Sequence, residues 1–243
     1  MGVQRGPKIP TENIWGYWDA ASKHSYPGSG TTWKSLTGSP DATMSGSSAP
    51  TYSSFNKGCI YFDGGSGAVT IADDDLEVSG AFTFSIWIYP SDPALGYTVF
   101  SLRGGTAWSS KEFCLAIGNP DPMGWSIRMG CKGSGCTMNR WDDDYLSPDA
   151  NIDTWRQYLV VYDGGAITAK SSFKLYFDGV LVGTTSIDYT WGVAYNGTSW
   201  GRDGHSLTNG LYIGYLGPVL LYDKAFTASE VRNLYVQQRG RFQ

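Results

Sequence analysis

Apolar and polar positions alternate in short runs along most of the chain. Over 81–90, Phe82, Phe84, Ile86 and Ile88 fall on one face and Thr83, Ser85, Trp87 and Tyr89 on the other, the period of a strand. Short β-branched and aromatic runs predict further strands at 58–64 and 68–72, around a glycine-rich turn, and at 97–103, 112–118, 124–130 and 155–164. Over 173–186 two apolar strands flank Asp178-Gly179, the dipeptide favoured by a tight type I′ hairpin. The stretch 210–223 predicts one more strand pair. Turn signals recur about every 8–12 residues, the spacing of an all-β sandwich. One helix is predicted near the end, where Thr227 and Glu230 fit a capping box, Val231, Leu234 and Tyr235 share a helical face, and Gly240 supplies a stop. Residues 1–12, with Pro7 and Pro10, predict an extended arm, and 13–243 a single domain. Two stretches, 131–153 and 188–209, follow no period, and long loops of this kind often carry function.

Composition agrees with that pattern. The 243 residues are 41% hydrophobic and 15% aromatic, enough for a substantial core, with 32 glycines and only 16% charged residues. The only glutamates are Glu12, Glu77, Glu112 and Glu230, fewer than helical surfaces carry. A net charge of −4 leaves no broad basic field, so no nucleic-acid partner is expected. The terminal segments are locally basic, and Arg5, Lys8, Arg239 and Arg241 are read as docking residues for a protein partner. The first residues show no signal-peptide pattern and no apolar run approaches a membrane span, so no membrane partner is expected. The four cysteines, Cys59, Cys114, Cys131 and Cys136, are read as free thiols; Cys131 and Cys136 could form a local disulfide, but they lack the second pair that a zinc site prefers.

Several motifs come close to known chemistry. Gly28 to Ser35 is one residue from a phosphate-binding loop, but Trp33 stands where the second glycine must let backbone N–H groups close on phosphate. Gly197 to Gly201 matches G-x-S-x-G, yet no helix follows and Asp203 and His205 crowd the serine. A retaining glycosidase needs two carboxylates about 5 Å apart. No two glutamates are close enough to form the E-x-D-x-x-E strand of β-sandwich glucanases, so the protein is expected not to be an enzyme. Acidic clusters at 73–75 and 142–144 have the oxygen-rich character calcium uses but no EF-hand pattern, so no cofactor or metal is assigned. Sugar recognition needs an exposed aromatic to stack on a pyranose and polar groups to bond its hydroxyls. Trp191, Tyr195, Asn196, Trp200 and Asp203 form one candidate carbohydrate-binding set, and Trp141, Asp142 and Asp143 a second.

Five segments occur in a telling order: "GYWDAASKHSYPGSGTTWKSLTGS" (16–39), "IYFDGGSGAVTI" (60–71), "FTFSIWIYP" (82–90), "LYFDGVLVG" (175–183) and "GLYIGYLGPVLLYDKAFTASEVRNLYVQQRGRF" (210–242). Together they resemble the laminin-G-like, concanavalin A-like jelly rolls of tailed-phage virion structural proteins. The resemblance implies a two-sheet antiparallel jelly-roll sandwich with one short C-terminal helix. It implies a decoration or tail-appendage subunit of a bacteriophage, anchored through its terminal segments and presenting loops to host-surface glycan. The partners it implies are other virion proteins and symmetric copies of the chain, and the location it implies is the virion, after synthesis in the host cytoplasm. A free-standing carbohydrate-binding module or lectin is the alternative. Trp33 is then expected to pack in the entry loop. Relatives usually carry an acidic residue after Phe62-Asp63-Gly64, where this chain has Gly65, Ser66 and Gly67. That weakens a borrowed calcium site and leaves Asp63 to cap its turn.

Overall fold

The structure, a computed structural model, describes residues 9–71, 80–92, 97–103, 112–118, 126–132, 138–141, 152–164, 173–185, 198–201 and 211–243. Its strands in chain order are β1 (Ile14–Trp18), β2 (Thr32–Trp33), β3 (Ala42–Ser45), β4 (Thr51–Ser53), β5 (Cys59–Asp63), β6 (Ala68–Ile71), β7 (Phe82–Pro90), β8 (Tyr97–Arg103), β9 (Glu112–Gly118), β10 (Ser126–Lys132), β11 (Met138–Trp141), β12 (Arg156–Tyr162), β13 (Phe173–Phe177), β14 (Val180–Thr185), β15 (Thr198–Trp200) and β16 (Ile213–Tyr222). A 3₁₀ turn covers Phe55–Lys57, and helix α1 covers Ala228–Arg239. The strands form two antiparallel sheets. The first runs β14-β13-β12-β7-β16-β5-β4, with β1 pairing the second half of β16. The second runs β11-β10-β9-β8-β15-β6-β3-β2. This is the expected two-sheet jelly-roll sandwich with one C-terminal helix.

The alternation in β7 explains why the first sheet is the middle of three layers. Phe82, Phe84, Ile86 and Ile88 enter the core between the sheets, where Phe84 stacks on Phe100 at 3.7 Å. Thr83, Ser85 and Trp87 on the opposite face are buried as well, under α1 and the residues that follow it. There Val231 and Leu234 meet Leu159, Val161, Leu220 and Tyr222. The helix begins as expected: the Glu230 N–H donates to the Thr227 hydroxyl, and the Thr227 N–H donates to the Glu230 carboxylate.

The Asp178-Gly179 turn is also as expected, with positive φ at both residues, and a Cβ at Gly179 would lie 2.9 Å from that of Tyr235. Trp33 is fully buried at the end of β2, paired with Ala42 of β3, which excludes a phosphate cradle there. Asp63 does cap its turn, its carboxylate accepting from the Gly65 N–H at 2.8 Å.

Three expectations change. The stretch 210–223 holds the single strand β16, whose register shifts between Leu216 and Val219, so Gly217-Pro218 is an irregularity within a strand. The runs at 58–64 and 68–72 do not pair with each other: β5 joins the first sheet and β6 the second. The two stretches read as loops hold strands: the end of β10 and β11 lie within 131–153, and β15 lies within 188–209, between β6 and β8.

Candidate functional site

On the outer face of the first sheet, the part not covered by α1 is aromatic. Tyr61 on β5, Tyr215 on β16 and Tyr89 on β7 stand opposite one another in register, so three phenol rings lie in a row across the strands. Ring centroids are 4.9 Å apart for Tyr61–Tyr215 and 5.7 Å for Tyr215–Tyr89. The Phe55 ring, 38% exposed, leans on the row from the 3₁₀ turn, 5.0 Å from Tyr215 and 5.1 Å from Tyr89. Trp155 lies beneath, stacked on Phe55 at 5.9 Å. The three tyrosines are half-buried, and the hydroxyls of Tyr61 and Tyr215 have no hydrogen-bond partner among the described residues.

Backbone geometry places this row. The ladder sets neighbouring strands about 4.8 Å apart, and same-face residues in register become side-by-side rings. Gly214 permits the close approach of β16 to β7: a Cβ there would lie 2.2 Å from the Tyr89 carbonyl oxygen.

Asp153 supplies the polar group. It is exposed, held at φ 55°, with its N–H donating to the Pro90 carbonyl at 2.8 Å. Burial, then the Asp153 charge, raises the Tyr89 phenol above its ordinary value. Burial, then Tyr61, Cys59 and Asp153, raises that of Tyr215. Both phenols therefore remain neutral donors across the physiological range. The arrangement offers apolar rings inclined to one another, phenol hydroxyls and a carboxylate, which suits apolar contact and hydrogen bonding rather than proton abstraction.

Beside the row the C-terminal residues are clamped down. The Arg241 guanidinium donates to both Asp19 carboxylate oxygens at 2.8 Å, to the Asn56 carbonyl at 2.9 Å and to the Gly58 carbonyl. Phe242 stacks on Trp87 at 4.3 Å. A cavity of about 580 Å³ lies next to this clamp, lined by Tyr17, Asp19, Lys57, Gln238, Arg241 and Phe242 among others. Deeper, the Gln238 side-chain oxygen accepts from the Trp87 indole at 2.7 Å and from Gln157 at 3.0 Å.

The sequence-derived candidates fare differently. Trp200 is corrected: it is 1% exposed and packs edge-on against Trp18 at 5.2 Å and Trp33 at 5.8 Å, so no sugar can stack on it. Arg241 is corrected likewise, because its fork is spent on Asp19 and the Asn56 and Gly58 carbonyls and is not free to dock a partner. Arg239 is exposed, its guanidinium 6.0 Å from the Tyr235 ring centroid. Trp141 ends β11, an edge strand, opposite Ile127. Asp142, Asp143, Trp191, Tyr195, Asn196, Asp203, Arg5 and Lys8 lie outside the described residues, as do the acidic clusters at 73–75 and 142–144. Ser199 is buried within β15, not on a strand-to-helix elbow. Cys59 is a buried free thiol, and Cys136 lies outside the described residues. Among the described residues no His, Cys, Asp and Glu side chains cluster as metal ligands would, and no helix is long and apolar enough to cross a membrane.

Sequence reasoning missed Tyr61, Tyr89, Tyr215, Phe55 and Asp153. The available signal was aromatics on the strand face that alternation assigned to polar residues, as with Trp87 and Tyr89 in β7.

No curated protein matches the chain in sequence. Several solved structures share its fold. Domain 4 of AbnA, an extracellular arabinanase from Geobacillus stearothermophilus solved with arabinotriose, is 14% identical with a TM-score of 0.65, over 92% of this chain and 98% of that one. The sialidase of Trypanosoma rangeli, solved with sialic acid, is 12% identical with a TM-score of 0.67, over 96% of this chain but 34% of that one. The botulinum neurotoxin serotype D binding domain is 12% identical with a TM-score of 0.65, over 93% of this chain and 52% of that one. This chain thus spans about a third of the sialidase and about half of the toxin domain.

These neighbours correct the expectation that the protein is not an enzyme. The fold recurs within a sialidase and an arabinanase, so it gives no ground for excluding glycan-related activity; at such identities the likeness itself shows fold alone. The model of one family matches residues 63–232, well over half of the chain, and the chain belongs to that family, the concanavalin A-like lectin/glucanases superfamily.

Proposed function

We propose that the chain is a glycan-recognising domain whose contact surface is the aromatic row Tyr61–Tyr215–Tyr89 with Phe55 and Asp153. The observation that carries this reading is the register itself, which sets three half-buried rings side by side on one face. Aromatic faces bury the apolar side of a sugar ring while nearby hydroxyls and a carboxylate bond its polar edge. Family membership supports it, as do fold neighbours solved with arabinotriose and with sialic acid. A glycan array probed with the full chain and with Tyr215→Ala tests it: signal on a subset of glycans that falls in the variant is the expected result. Equal signal from both proteins would move the site elsewhere. The loop residues Trp141, Asp142, Asp143, Trp191, Tyr195, Asn196 and Asp203 are proposed as a second contact, to be tested on the same array.

The segments at 16–39 and 210–242 favour a finer reading, in which the domain is displayed on a tailed-phage particle as a decoration or tail-appendage subunit, in symmetric copies. Arg5, Lys8 and Arg239 are then its docking residues toward other virion proteins. Cryo-electron microscopy of the particle tests this: density for the chain at a symmetric site is expected, and its absence from every particle would retire the virion reading.

A further inference from the structure

The charges around the aromatic row define which glycans it can take. The row is a strip of phenol rings with centroid steps of 4.9 and 5.7 Å, running across the strands rather than along them. One isolated ring would hold a single sugar; three rings in register, inclined to one another by 42° and 75°, offer successive contacts to successive units of an extended chain. Among the described residues Asp153, exposed and tied through its N–H to the carbonyl of Pro90 beside Tyr89, is the charged side chain that acts on both Tyr89 and Tyr215. The cations nearest in sequence lie toward the cavity. Lys57 and Arg241 line the separate cavity, and Arg241 is committed to Asp19 there. The Arg241 charge reaches Cys59 and Tyr17, whereas the shifts of Tyr89 and Tyr215 arise from burial, Asp153 and neighbouring phenol or thiol groups.

From this we infer that the row accepts an extended neutral glycan and rejects glycans that carry carboxylates. A uronic or sialic acid would bring its charge against Asp153, with no cation among the described residues set on the row to receive it, and like charges at close range are disfavoured. The inference rests on the row being the glycan platform. It departs from the acidic sugar bound by the sialidase that shares the fold.

The test is calorimetry on the full chain with neutral pentasaccharides (cello-, xylo-, manno-, laminari- and arabinopentaose) and acidic ones (pentagalacturonate and a pentamer of sialic acid). At least one neutral pentasaccharide should bind roughly tenfold tighter than either acidic one. Affinity in that neutral series should climb from the disaccharide to the pentasaccharide. Tyr215→Ala should weaken it about tenfold, and Tyr61→Ala should do the same if Tyr215→Ala disturbs the circular dichroism. Asp153→Asn, which also tolerates positive φ, should narrow the gap between neutral and acidic sugars, as should high salt in the parent protein.

Acidic pentamers that bind as tightly as the neutral ones, and lose that binding in Tyr215→Ala, would overturn the charge preference while leaving the row as the platform. Binding that survives both tyrosine variants, or no binding by any member of the panel, would overturn the platform and the inference together.

Discussion

Arg241 shows how much one side chain can organise. Its guanidinium holds the Asp19 carboxylate and the Asn56 and Gly58 carbonyls at once, in a site where it and Asp19 are 15% and 12% exposed. A planar fork can satisfy such divergent acceptors and an ammonium cannot. Arg241→Ala should therefore cost about 3 kcal/mol in urea unfolding, because Asp19 is left buried and unpaired. Arg241→Lys should recover less than half of that. Adding Asp19→Asn to Arg241→Ala should restore part of the loss, the sign of a coupled pair. Next to this pair, burial pushes the Cys59 thiol up to about 12, so at pH 8 it is a thiol and not a thiolate. Native protein treated with iodoacetamide at pH 8 should show Cys59 unmodified in peptide mass spectra, and unfolded protein should show it modified.

At the scale of elements, the helix stands on its cap. The Lys224 ammonium and the Thr227 backbone hold the Glu230 carboxyl below its ordinary range, although the side chain is only partly buried. A carboxyl with a depressed folded value contributes stability above its unfolded value, and that contribution fades as pH falls through the folded one. Glu230→Gln should thus lower thermal stability at neutral pH by a small amount that shrinks in acid, while Thr227→Ala should cost about 1 kcal/mol.

This helix was legible because its cap, its apolar stripe and its stop agree locally, and the Asp178-Gly179 hairpin was legible for the same reason. The length of β16 was not: Gly217-Pro218 reads as a turn, and only pairing with β7 on both sides of it keeps the strand whole. Nor was β15, whose Thr198–Trp200 is too short to show a period. The aromatic row was hidden differently. Alternation tells which residues share a face, but not that α1 and the C-terminal residues cover one part of the outer face and leave Tyr61, Tyr215 and Tyr89 uncovered. Trp200 was misread for a related reason: a turn-rich sequence around it suggested exposure, whereas the strand it ends turns the indole into the core.

At the scale of the molecule, the first sheet is covered on its inner face and over part of its outer face, and the outer cover is assembled from the end of the chain. Trp87, Trp155 and Cys59 are 5% exposed or less because Phe242 lies on them and Arg241 fastens that segment to Asp19. The aromatic row borders the same cluster through Phe55 and Trp155. The proposed recognition surface and the terminal clamp therefore share a support, and weakening one should disturb the other. A variant ending at Arg239 tests this. It loses the buried Phe242, worth about 3–5 kcal/mol, and leaves Asp19 without its cation, worth about as much again if the two were independent. Being neighbours they are not additive, so a total near 5 kcal/mol and a fall in melting temperature of about 10 °C or more are expected by calorimetry. Glycan affinity measured well below that temperature should fall as well, since Trp155 no longer holds the Phe55 ring against Tyr215 and Tyr89. If the truncated protein melted within about 2 °C of the parent, the C-terminal residues would be a passive cover. If it lost stability but kept its affinity, Phe55 and the tyrosines would be held by the sheet alone.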